Sequence, residues 1–281
     1  MGLPLEQTYL HFEHENPEAP VLVLIHGGPG LSYHYFEPLI EQLKANVSIL
    51  TYDQGTQSSV TDFPSAVSEL HYVISNASLG SREIVLVGHS FGSLLAFAYV
   101  EKYHRSYSLI LVSWIYDTKW ASVFSDRTPE AKDLEANLKI QNESSDDPKQ
   151  HLKNLMHAYA RYYFPLKSFQ TASACFEKMN YYPELLESVS ANWASHLDAK
   201  AVVAAYSGPI LSIIGNEDRV VLPEYTSAAR KLNSKIEDRR SDHRKRSAFS
   251  IHRPAIESSR RNSIVFRRAL IGKTRLLKCR E

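Results

Sequence analysis

Short, nearly unbroken apolar runs recur along this chain, each followed by a loop and most of them by a segment with helical spacing. Val21 to Ile25, Val47 to Tyr52, Ile84 to Val87, Leu109 to Val112 and Pro209 to Ile214 are such runs. A strand without polar alternation is covered on both faces, as in a parallel sheet between two helical layers. Thr8 to Glu13 alternates instead, which suits an edge strand. Ser65 to Ala77 places Val67, Leu70, Val73 and Ile74 on one side of a helix, and the Leu- and Ala-rich stretch after Gly92 predicts another, ending near His104. Strand and helix in alternation imply an α/β fold with right-handed crossovers.

The pattern breaks between about Asp117 and Ala205. Aromatic-rich helical segments interrupted by Pro129, Pro148, Pro165 and Pro183 replace the strand runs there, and the sequence predicts an inserted helical cap. The expected organisation is an α/β core over 1–116, a cap over 117–205, the rest of the core over 206–236, and an atypical Arg-rich tail over 237–281.

Three loops at the carboxyl ends of predicted strands carry candidate chemistry. The run through Val87 leads into Gly88-His89-Ser90-Phe91-Gly92, a strand, sharp turn and helix that would lift the Ser90 hydroxyl above the sheet. The two glycines are needed because a strand reversing straight into a helix leaves no room for Cβ atoms. His26-Gly27-Gly28-Pro29-Gly30 follows the Val21 run and lets backbone amides approach a ligand, at the end of the sheet where open α/β folds bind one. Asp218 sits just beyond the Pro209 to Ile214 run. Read in isolation, an Asp there is also a common turn or cap residue.

Composition narrows the classes. With 43% hydrophobic residues in 281, the chain can bury a full core. No basic start followed by an apolar run opens it, and no window of about 18 apolar residues occurs, so a soluble, cytoplasmic protein with no membrane partner is expected. Cys175 and Cys279 suggest neither a disulfide framework nor a metal spacing, and neither a metal nor a cofactor is expected. The net charge of +1 conceals an asymmetry: residues 1–236 hold 18 Lys and Arg against 26 Asp and Glu, whereas 237–281 hold 14 against 5. A frame-shifted gene, a divergent terminus or a basic interaction tail would each produce this. Nucleic acid is not expected as a partner, because neither a binding motif nor a pattern of aromatic interleaving supports it.

The motifs together resemble a known family. His26-Gly27-Gly28-Pro29-Gly30, Tyr52-Asp53-Gln54-Gly55, Gly88-His89-Ser90-Phe91-Gly92-Ser93 and Gly215-Asn216-Glu217-Asp218-Arg219-Val220 occur in the order found in α/β-hydrolases, and within that fold the chain is similar to the prolyl aminopeptidase (proline iminopeptidase) family. Gly55 and Phe91 depart from it, standing where the family usually has Arg and Trp. The resemblance implies a mostly parallel sheet with helices on both faces, an inserted helical cap, and acyl transfer from peptides or other small acyl substrates. Ser90 would be the nucleophile and Asp218 the acid, with the backbone amides of Phe91 and, by resemblance, Gly28 holding the oxyanion. His26 and His89 read as structural.

Two further roles come from the resemblance. The family recognises a free N-terminal ammonium through cap glutamates, which makes Glu177, in Cys175-Phe176-Glu177, the first candidate, ahead of Glu184 and Glu187. The catalytic base should follow one more strand, 25 to 30 residues past the acid. His243 follows Asp218 by 25 residues and His252 by 34. The segment between, from Glu237 to Arg246, is nearly all charged and carries no strand pattern, so the last strand is expected to be missing. Three readings of function remain open: a prolyl-type serine aminopeptidase, an esterase or amidase of other specificity, and an inactive chain lacking its base. Oligomeric state is not legible.

Overall fold

In a computed structural model of the chain, residues 9–55, 60–118, 146–163, 169–190, 192–216 and 218–241 are described. Among them seven strands form one sheet: β1 (Tyr9–Phe12), β2 (Val21–Ile25), β3 (Ser48–Tyr52), β4 (Ile84–His89), β5 (Ser108–Val112), β6 (Ile210–Gly215) and β7 (Ile236–Ser241). Their spatial order is β1-β3-β2-β4-β5-β6-β7. β1 runs antiparallel to β3, and every other pairing is parallel.

The apolar runs form these strands because both faces are covered. Val21, Val23 and Ile25 pack with the buried residues of α2 (Phe63–Asn76) and α3 (Gly92–Lys102), while Leu22 and Leu24 face Phe36 and Ile40 on the opposite side. Ile40 belongs to α1 (Glu37–Leu43), which the sequence pattern did not single out. Its signals were Pro38 in the first turn and the pair Phe36 and Ile40 four residues apart. From β2 the chain crosses to β3 on one side of the sheet, and from β4 it crosses to β5 on the other. The carboxyl ends of β2 and β4, adjacent in the sheet, therefore flank the crevice where α/β sheets bind ligands.

Between β5 and β6 the described residues are helical: α4 (Pro148–Tyr163), α5 (Phe169–Lys178), α6 (Pro183–Ser190), α7 (Trp193–His196) and α8 (Ala199–Ala205). Leu152, Met156 and Ala160 of α4 form a separate small core with Phe176, Met179, Tyr181 and Leu31, so the cap closes on the loop after β2. Leu185, Val189, Trp193, Val202 and Val203 join the main core instead. The end of α8 is also tied to the last strand: buried Asn233, just before β7, donates to the carbonyls of Val203 and Tyr206, both at 2.9 Å.

The expectation of a missing last strand is overturned. Ile236–Ser241 pairs in parallel with β6, from Ile210 opposite Ile236 to Gly215 opposite Ser241. A strand so rich in charge would be costly if its charges were buried unpaired. They are not, because β7 is the outermost strand among the described residues and needs only one apolar anchor, Ile236, which is fully buried. Glu237 and Arg240 are exposed, Arg239 pairs with Glu237, and Arg240 reaches Ser227 Oγ at 2.8 Å. The ladder supplies backbone hydrogen bonds, and the charges either reach water or, like the largely buried Asp238 with its Oδ2 3.9 Å from Arg230 Nε, face an opposite charge.

Candidate active site

Ser90 lies where β4 turns into α3, with φ of 50°, a left-handed conformation that few side-chain-bearing residues adopt. The turn is pinned from several directions. Ser90 N donates to Val112 O at 3.0 Å, tying the elbow to the end of β5, and Ser93 Oγ donates to Ser90 O at 2.5 Å while accepting from Ile115 N at 3.2 Å. A Cβ on Gly88 would meet Ser93 Cα at 2.8 Å, and one on Gly92 would overlap Ile25 O and lie 2.6 Å from His26 O. Both flanking glycines are therefore steric requirements, as the motif implies.

The loop after β2 comes directly against this elbow: a Cβ on Gly27 would lie 2.9 Å from Ser90 Cβ. Two consecutive peptide planes of the loop are held. In the first, His26 O accepts from Gln54 Nε2 at 2.7 Å and Gly27 N donates to the Tyr35 hydroxyl at 2.6 Å. In the second, Gly27 O accepts from His26 Nδ1 at 3.1 Å. In a trans peptide C=O and N–H point in opposite directions, so fixing Gly27 O fixes the direction of the Gly28 N–H. Gly28 has φ of 62° and its carbonyl accepts from Leu31 N, which turns the loop back toward the cap.

Both histidines of the motifs are structural here. His26 is fully buried, and because Nε2 accepts from Gln54 N at 3.0 Å its proton resides on Nδ1. Burial holds its pKa below the ordinary imidazole value. His89, partly exposed by area but enclosed by Tyr35 and Phe36, is lowered to about 4 by loss of water and by neighbouring His26. Neutral at physiological pH, its Nδ1 accepts from Tyr35 Oη at 2.8 Å.

Asp218 follows β6, two strands across the sheet from the elbow. Its Oδ1 accepts from Val220 N at 3.0 Å and Val221 N at 2.9 Å, and its Oδ2 accepts from Ser113 Oγ at 2.6 Å. Desolvation raises its pKa, while Ser113 and the two amides pull it down. Ser113 also has a positive φ, 44°, at the end of β5. The carboxylate is thus oriented and partly stripped of water, as suits a group that steadies a developing imidazolium.

Glu177, expected to receive a substrate ammonium, is occupied elsewhere. Its side chain is 57% exposed and meets Lys153 Nζ at 2.6 Å and His157 Nε2 at 3.0 Å, and the Lys153 hydrogen bond holds its carboxyl below the usual range. Of the weaker candidates, Glu184 and Glu187 are both exposed on α6. Gly55, with φ of 75°, leaves no room for a side chain, since a Cβ would overlap Leu185 of the cap. Phe91 is buried and packs edge-on against Phe63 at 6.0 Å. His243 and His252 lie outside the described residues.

Sequence reasoning assigned no role to Asp53, which is buried where core and cap meet. Its Oδ1 accepts from Tyr33 N at 2.9 Å, and its Oδ2 lies 3.3 Å from Asn180 Nδ2 and 3.4 Å from Tyr182 Oη. Asn180 N donates to Ser32 Oγ and Tyr182 N to Gly30 O, so the cap is stitched to the loop that carries Gly28. Its signal was its place in the Tyr52-Asp53-Gln54-Gly55 motif.

A family model described as the alpha/beta hydrolase family matches residues 22–250. The chain belongs to that family. Over 119 residues this hydrolase is 40% identical to a proline iminopeptidase of Lactobacillus helveticus (strain DPC 4571), and over 103 residues it is 37% identical to one of Saccharolobus solfataricus. The matches cover 38% and 33% of the hydrolase and 40% and 32% of those relatives. Among solved structures it is similar to a thermophilic esterase from Thermogutta terrifontis, with a TM-score of 0.61 at 20% identity over 83% of this chain and 84% of that one. A bromoperoxidase from Bacillus anthracis gives 0.59 at 16% identity, covering 83% and 85%. At such identities the likeness concerns the fold.

Proposed function

We propose that this hydrolase is a cytoplasmic serine aminopeptidase that releases N-terminal residues, proline among them, from small peptides through an acyl-enzyme. The observation that carries the serine chemistry is the strained Ser90 turn with the Gly27–Gly28 loop seated against it. In this reading Ser90 Oγ attacks the scissile carbonyl, and the amides of Phe91 and Gly28 receive the oxyanion. His243 takes the serine proton and returns it to the leaving amine, with Asp218 orienting it. Water then hydrolyses the ester. Support for His243 comes from β7, which ends at Ser241 opposite Gly215, on the edge of the sheet that carries Ser90 and Asp218. The partial identity to proline iminopeptidases supports proline as the acyl group.

One observation favours a second reading, an esterase or amidase of other specificity: Glu177 is already matched by two basic side chains. A fluorophosphonate probe and a pair of substrates decide. The wild type should be labelled at Ser90, and Ser90→Ala and His243→Ala should lose turnover. No labelling of the wild type would overturn serine catalysis. Equal rates on a proline arylamide and its N-acetyl form would overturn the aminopeptidase in favour of the second reading.

A further inference from the structure

Nucleophile and oxyanion donor come from different strands, β4 and β2, and catalysis needs their separation fixed to within a fraction of an ångström. Backbone pairing of β2 with β4 ends at Ile25 opposite Gly88, before either loop begins. Beyond that point the Tyr35 side chain spans the gap. The Tyr35 hydroxyl accepts from Gly27 N–H at 2.6 Å and donates to Nδ1 of His89, the residue before Ser90, at 2.8 Å. Its partners are 8 and 54 positions away in sequence, and each belongs to one half of the site.

The geometry points to Tyr35 as a positioning residue that locks the oxyanion loop to the nucleophile elbow. The inference rests on the serine-hydrolase reading of Ser90 and Gly28. A phenol suits the task because a single oxygen both accepts and donates. Gly27 N–H is a donor without choice, so the phenol proton is left for His89, and a neutral imidazole is the right acceptor. Burial raises the pKa of the phenol and keeps that proton in place. The ring is also braced by Phe36, 4.5 Å away between centroids, so the oxygen cannot swing aside without repacking. With Gly27 N–H engaged by Tyr35 and Gly27 O by His26, the adjoining Gly28 N–H is held pointing one way.

Tyr35→Phe removes one oxygen and keeps the ring. Loss of an oxyanion donor outright costs roughly 100- to 1,000-fold in kcat, and a loosened one should cost roughly 10- to 100-fold. We expect that loss in kcat with KM within about twofold, together with a matching loss of affinity for a trifluoromethyl ketone substrate analogue, which forms a tetrahedral oxyanion, but not for product. A merely structural role would not separate the ketone from the product. The inference is overturned if wild type and Tyr35→Phe, both labelled at Ser90 by fluorophosphonate, turn over within twofold of each other, or if the whole loss lies in KM. If the wild type is not labelled, the serine-hydrolase reading fails and the inference falls with it. Should Tyr35→Phe not fold, His89→Leu should lower kcat and His89→Gln, which restores an acceptor, should recover most of it; equal turnover of His89→Leu and wild type overturns the inference.

Discussion

The strain at Ser90 can be measured apart from its hydroxyl by comparing two variants that both lack it, Ser90→Ala and Ser90→Gly. At φ of 50° a residue with a Cβ is held in the left-handed region at a cost of about 1–2 kcal/mol, which glycine escapes. Alanine retains the Cβ and hence the strain. Glycine also loosens the unfolded chain, which offsets about 0.4–1 kcal/mol of its gain. The net expectation is that Ser90→Gly is more stable than Ser90→Ala by about 0.5–1 kcal/mol, or roughly 2 °C in Tm for a chain of this size. Urea unfolding should resolve it as a shift in midpoint at constant slope. If Ser90→Gly is no more stable than Ser90→Ala, the elbow holds no strain that its neighbours are needed to enforce. The hydrogen bonds from Ser90 N to Val112 and from Ser93 Oγ to Ser90 O would then be incidental to the geometry.

Ser113→Ala should destabilise the hydrolase in a pH-dependent way. Because burial holds the Asp218 pKa above its unfolded value, this group favours the fold most below the ordinary carboxylate range, and that contribution is lost as pH rises through the folded value. Without the Ser113 hydroxyl the folded value rises further, so the variant's deficit should be small in acid and reach about 1–2 kcal/mol at neutral pH; equal deficits at both, by urea unfolding, would count against the argument. Gly92→Ala should cost about 3 kcal/mol or more, or prevent folding, because its Cβ would collide with the carbonyls of Ile25 and His26. A variant that unfolds within 1 kcal/mol of wild type would mean that β2 can withdraw from the elbow.

What could be read from the sequence follows from the range of the interactions. The central strands, the Ser90 turn and the position of Asp218 depend on runs a few residues long, and they stand where the pattern put them. The clamp of Tyr35, His89, Gln54 and His26 joins residues 28 and 54 positions apart, and nothing local marks such a partner. Glu177 shows the same limit: its contacts with Lys153, 24 positions back, and with His157 join segments that no local pattern connects. β7 was missed because apolar content is a proxy for burial, and an outer strand anchored by Ile236 alone among its apolar residues has almost none.

The charges that disguised β7 have a use of their own. Among the described residues the sheet ends at β7, and a sheet that ends so presents a row of backbone donors and acceptors on its outer side, which an extended segment of another molecule could extend. Docking there would bring a new strand's side chains alongside Glu237, Arg239 and Arg240, stripping water from groups that hold it strongly. The same residues that make the segment look unlike a strand make it an unattractive template for a second one. Replacing them with valine or isoleucine would strengthen the strand by every propensity scale while turning a guarded edge into an adhesive one.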